Sequence, residues 1–95
     1  MKHCILVKFA DGVSDKAELI RRISSLYERW TEYPFLKGCR LLTSCVDRSN
    51  RYDLAIVLTM EKEDLPLWDG CALHKSWKSD FGSYVASKAI FDFNE

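Results

Sequence analysis

The chain opens on an alternation. His3, Ile5, Val7 and Phe9 fall on one side of an extended segment and Cys4, Leu6 and Lys8 on the other. This is the period-two pattern of a half-buried strand. Ala10-Asp11-Gly12 interrupts it, and the period then changes. Leu19, Ile20, Ile23, Leu26, Tyr27 and Trp30 recur at spacings of three and four, with Glu18, Arg21, Arg22, Glu28 and Arg29 between them. The spacing predicts an amphipathic helix over 14–33, capped by Ser14 and stopped by Pro34. Further strands are predicted over 35–46 and 52–60, joined by the polar turn Asp47-Arg48-Ser49-Asn50. So short a link implies an antiparallel hairpin. A helical turn over 61–67, a helix over 71–86 and a last strand over 89–93 complete the pattern.

The order strand, helix, strand, strand, helix, strand is that of an α+β, ferredoxin-like βαββαβ domain, a four-stranded antiparallel sheet with its helices on one face. At 95 residues the chain has room for one domain, spanning 1–95. Alternation leaves Cys4, Leu6, Phe91 and Phe93 on the face without helices. An apolar face of that kind is best covered by a second copy, so a homodimer is expected.

Composition narrows the function. Fourteen basic residues balance fourteen acidic ones. There is thus no basic footprint for nucleic acid and no polybasic segment for an anionic membrane. No apolar run is long enough for a signal peptide or a membrane span, which points to a cytoplasmic protein. Cys4, Cys39, Cys45 and Cys71 are then expected as reduced thiols, and none forms a Cys-x-x-Cys pair. No metal site and no cofactor are expected.

The densest chemistry lies between Trp68 and Phe81. In a helical reading His74, Trp77, Phe81, Tyr84 and Val85 share a face, which sets His74 on the apolar stripe. An inward imidazole needs a partner, a ligand or a task. A general base and a structural, hydrogen-bonded histidine both fit that position. In the ferredoxin-like order the first and last strands are antiparallel neighbours, so His3 and Asp92 come together on the helix-covered face. A carboxylate there would fix the imidazole tautomer. A structural pair closing the sheet's end is the competing reading.

Three stretches resemble the stress-responsive dimeric α/β-barrel (Dabb) family. They are Lys2-His3-Cys4-Ile5-Leu6-Val7-Lys8-Phe9 with Asp11-Gly12-Val13-Ser14; Thr59-Met60-Glu61 with Asp64-Leu65, Trp68, His74 and Trp77; and Ile90-Phe91-Asp92-Phe93. The resemblance implies a homodimer whose two sheets pack face to face. Olivetolic acid cyclase, a plant polyketide cyclase that works without a cofactor, is similar to this family. By motif its catalytic histidine matches His74, its first-strand histidine His3 and its last-strand aspartate Asp92. Trp68 stands where that cyclase has an assisting tyrosine, and indole offers only an N–H donor. Trp68 also resembles the helix tryptophan of haem-degrading and quinol-forming monooxygenases, but His74 follows it too closely to match their haem-binding histidine.

A pocket bounded by His3, Ile5, Val7, Leu26, Trp68, His74, Trp77 and Ile90 is therefore expected, with His74 at its polar end. Lys88 is placed at its edge, and Tyr27 and Trp30 are candidate linings that read more simply as core. Three functions stay open. One is a module binding a small apolar or aromatic metabolite. Another is a cofactor-independent enzyme, cyclase-like or monooxygenase-like, with His74 as general base. The third is a structural dimer without ligand.

Overall fold

The computed structural model describes residues 1–95. Its elements are β1 (Lys2–Phe9), α1 (Lys16–Tyr27), β2 (Gly38–Thr43), β3 (Leu54–Thr59), α2 (Leu65–Gly70), α3 (Ala72–Phe81) and β4 (Val85–Phe93), with short 3-10 turns at Glu28–Glu32, Lys62–Asp64 and Gly82–Tyr84. The strands form one antiparallel sheet in the order β2-β3-β1-β4. The alternation along β1 sends Ile5, Val7 and Phe9 under the helices. β3 adds Leu54, Ile56 and Leu58 to the same layer, since paired residues share a face. α1 contributes Leu19, Ile23 and Tyr27 and α3 contributes Leu73, Trp77 and Phe81, both at a four-residue repeat. These residues meet in one core, where Val7, Ile23, Ile56, Leu58 and Leu73 are wholly shielded from solvent.

Element ends depart from the sequence pattern for identifiable reasons. α1 starts at Lys16 and is capped by Asp15 rather than Ser14: the Asp15 carboxylate accepts the Glu18 N–H at 3.0 Å. It tightens into the 3-10 turn at Glu28, and that turn stops at Glu32 because Tyr33, before Pro34, is held extended. α3 ends at Phe81, five residues short of the predicted 86. Tyr84 and Val85 therefore leave the helix face on which their spacing set them. The Tyr84 carbonyl accepts the Ala10 N–H at 2.8 Å and Val85 pairs with Phe9, so sheet pairing overrides a helical continuation. β2 covers only Gly38–Thr43; beyond it the Ser44 hydroxyl accepts the Val46 N–H and turns the chain away.

The opposite face of the sheet carries no helix. Cys4 pairs with Val57 and Phe91, Leu6 with Ala55 and Ala89, and Lys2 with Phe93. The rings of Phe91 and Phe93 stack at 5.8 Å, and Phe91 is 63% exposed. No helix is long and apolar enough to cross a membrane.

Candidate functional site

The candidate site lies where α3 overhangs the edge strand β4. Ile90 and Asp92 stand opposite Ile5 and His3 on the helix side of the sheet. Because β4 is the edge, its inner row is only partly roofed, and Ile90 is 54% exposed. The result is a cavity of about 400 Å³, within the range of small-molecule sites. His3 and Ile5 on β1 form its floor, with Lys88 and Ile90 on β4 as one wall. His74, Trp77 and Lys78 on α3 form the other, completed by Trp68 and Asp69 of α2.

Both histidines of the chain line this cavity. The His74 Nδ1 lies 3.0 Å from the Asp69 carbonyl oxygen. A carbonyl only accepts, so Nδ1 carries the hydrogen, and in the neutral ring Nε2 holds the lone pair. The imidazole rests against the Trp68 indole, with ring centroids 4.9 Å apart and planes inclined by 47°. Leu73, not His74, leads the buried stripe of α3; His74, half a flank round, is half-buried. This corrects the expectation that His74 sits on the stripe itself, and it is why the ring borders a cavity instead of filling the core.

His3 is buried, and its Nδ1 lies 2.5 Å from an Asp92 carboxylate oxygen. The register sets the two residues directly opposite each other. With the carboxylate accepting, this ring too has its Nδ1 occupied by a hydrogen bond. Neither Nε2 is engaged by another protein group.

Trp68 is buried and backed by Tyr27, whose ring lies 6.2 Å from Trp68 and 5.8 Å from Trp77. The Tyr27 hydroxyl is buried without a hydrogen-bond partner. Burial holds its pKa well above the ordinary phenol value, so it stays a neutral part of the aromatic wall's backing.

Of the residues expected around the pocket, His3, Ile5, Trp68, His74, Trp77 and Ile90 are brought together, as is Lys88 at the edge. Val7 and Leu26 are not among the walls. Val7 is sealed in the core beneath, and Leu26 lies half-buried on the flank of α1, a helix that gives the cavity no residue. Tyr27 and Trp30 likewise stay outside and border a shallow groove beside Cys39. Asp69 and Lys78 were missed. For Lys78 a signal was present: it is one helical turn beyond His74 and so shares its flank.

No group of three or more His, Cys, Asp or Glu side chains converges anywhere in the chain. The four cysteines are free. Burial pushes the Cys39 thiol up to about 11, and burial together with the Asp92 charge raises Cys4, so neither is an activated thiolate. A somewhat larger groove, about 470 Å³, opens at the far end of the sheet between Lys16 and the β2–β3 loop. It has no imidazole and no aromatic wall, so the chemistry points to the histidine cavity.

A β2-β3-β1-β4 antiparallel sheet with its helices on one face is a ferredoxin-like fold. No family model matches the sequence, and neither does any curated protein. Among solved structures, the chain is similar to a dimeric ferredoxin-like protein of unknown function from Thermobifida fusca, with a TM-score of 0.80 at 15% identity over 97% of this chain and 87% of that one. It is similar to a Dabb family protein from Mesorhizobium loti, with a TM-score of 0.74 at 9% identity over 99% and 94% of the two chains. The hydroxynitrile lyase from Passiflora edulis also aligns, with a TM-score of 0.74 at 14% identity over 95% and 87%. At these identities the likeness is one of fold.

Proposed function

We propose that residues 1–95 act as a single domain that pairs as a homodimer through its bare sheet face and binds a small apolar or aromatic metabolite in the histidine cavity. The observation that carries this reading is the pairing of two indole walls with two imidazoles whose Nδ1 positions are already taken. Apolar and aromatic walls with a few convergent polar groups are the usual composition of a small-molecule site. The apolar body of a ligand would lie along Trp68, Trp77, Ile5 and Ile90, and its polar end would meet the Nε2 atoms of His74 and His3. The four free thiols suit a reducing, cytoplasmic compartment.

A second reading, favoured by the His74–Asp69 hydrogen bond, is a cofactor-independent enzyme. A neutral imidazole with Nδ1 anchored and Nε2 unprotonated is what a general base requires. In it the His3–Asp92 pair would hold a second imidazole in a fixed tautomer. That a hydroxynitrile lyase has this fold supports the reading.

Three tryptophans make the test direct, because Trp68 and Trp77 line the cavity and Trp30 does not. On titration with 2-naphthol, the indole N–H signals of Trp68 and Trp77 are expected to shift while that of Trp30 stays in place. His74→Ala should weaken binding about tenfold, the loss of one hydrogen bond of about 1.4 kcal/mol, with the folded spectrum kept. A shift of Trp30 alone, or no shift at all, would remove the cavity as a ligand site.

A further inference from the structure

Two features of the cavity are left unexplained by an apolar or aromatic ligand alone. Lys78 and Lys88 both line it, one from α3 and one from β4, so a cationic side chain stands on each of two facing walls. Neither makes an ion pair or a side-chain hydrogen bond within the chain, a condition they share with the exposed Lys62 and Lys75, so both are free to meet a ligand; Lys2, Lys8, Lys16 and Lys37 find oxygen partners. An adjoining groove of about 230 Å³ shares Trp77, Lys78 and Lys88 with the cavity, so the two cations border both. Asp69, which is exposed, is the one carboxylate on the walls; the Asp92 carboxylate beside the floor is taken up by the His3 ring, at the opposite end of the β4 row from Lys88.

Inside this cationic rim the walls are aromatic and aliphatic. A ligand that matches both parts has a flat apolar body and one anionic group at its outer end. We propose that the cavity selects aromatic carboxylates, with the ring between Trp68, Trp77 and Ile90 and the carboxylate held between Lys78 and Lys88. This rests on the ligand-site reading above and names the class of ligand. The inner end of such a ring, where a hydroxyl would be carried, reaches toward the two imidazoles, whose Nε2 atoms can accept a hydrogen bond in the neutral ring and donate one in the protonated ring. Two cations on flexible stems grip a carboxylate as point charges, so the preference should be electrostatic and screened by salt.

The experiment compares 2-naphthoate with 2-naphthamide, which keeps the ring and removes the charge, by calorimetry and by the indole N–H signals. The naphthoate is expected to bind at least about tenfold more tightly at low ionic strength, with the gap narrowing as salt is added. Lys78→Met and Lys88→Met should each remove most of that gap by weakening the naphthoate far more than the amide. Lys88→Arg should keep it. Lys75→Met, an exposed change on the same helix away from the cavity, should leave both affinities as they are. Equal binding of acid and amide, with Trp68 and Trp77 both shifting, would overturn the anion selectivity while the ligand site stood. If neither compound moves those indoles, the ligand site itself falls and the selectivity with it.

Discussion

Asp53 shows how one side chain can finish a sheet. The β1–β3 ladder ends at the Val7–Leu54 pair, which would leave the Phe9 N–H without a strand partner on that side. The Asp53 carboxylate accepts it at 2.8 Å and also accepts Lys16 Nζ at 2.9 Å, while the Asp53 N–H donates to the Val7 carbonyl at 2.8 Å. Burial pushes this carboxyl up, but the Phe9 N–H, the Lys16 hydrogen bond and the charges of Lys16 and Lys8 together outweigh it and hold the pKa below the ordinary value of 3.8. A depressed carboxyl contributes stability that is present above its unfolded value and lost as pH falls through the folded one. Urea unfolding is therefore expected to show a drop in stability on acidification below about pH 4, and Asp53→Asn should flatten that limb. Asp53→Ala should cost about 1–3 kcal/mol at neutral pH, because the Phe9 N–H loses its acceptor.

At the scale of elements, α3 has an unusual start. Its cap residue Cys71 offers no side-chain hydrogen bond, and the Leu73 N–H is instead taken by the Tyr33 hydroxyl at 3.1 Å, from a segment forty residues away in sequence. Tyr33→Phe should lower stability by about 1 kcal/mol, as the loss of a cap does, and should speed hydrogen exchange at Leu73. Unchanged exchange would show that the cap contributes nothing. Such a contact cannot be read from sequence, because no local pattern announces a cap lent by another element. The strands and the first helix could be read, since the alternation from His3 to Phe9 and the Leu19, Ile23, Tyr27 repeat are local signals. The end of α3 could not. Tyr84 and Val85 keep helical spacing from Phe81, and only the Ala10 and Phe9 pairings draw them into the sheet. The same division holds at the cavity. His3 opposite Asp92 follows from topology and alternation alone, whereas the exclusion of Leu26 depends on where α1 packs, which periodicity does not specify.

For the molecule as a whole, the sheet has one core where two could be covered. Only 17 of the chain's 95 residues are buried, and Phe91, Phe93, Leu6, Val57 and Leu42 share the face without helices. A stable pair of copies needs to bury more than about 1,200 Å² in total, and this mostly apolar four-stranded face, on which Lys2, Lys8 and Arg40 also lie, is the surface that can supply it. By sedimentation at micromolar concentration the chain is expected to run as a dimer. Phe91→Lys, which sets a charge among the exposed aromatic side chains of that face, should yield a monomer with its far-ultraviolet dichroism retained. A monomeric wild-type chain would end the homodimer proposal.

The short contact between His3 and Asp92 joins residues 89 positions apart. Bringing together segments so distant carries a loop-closure cost that local helices and the β2–β3 hairpin do not meet, and contacts of this range form slowly. Any ligand that requires the His3 ring in its fixed orientation is therefore invisible to a chain with only its hairpin and helices formed. Binding competence is in this sense a kinetic endpoint: recovery of the cavity during refolding would time the meeting of β1 and β4, and would trail the recovery of helix.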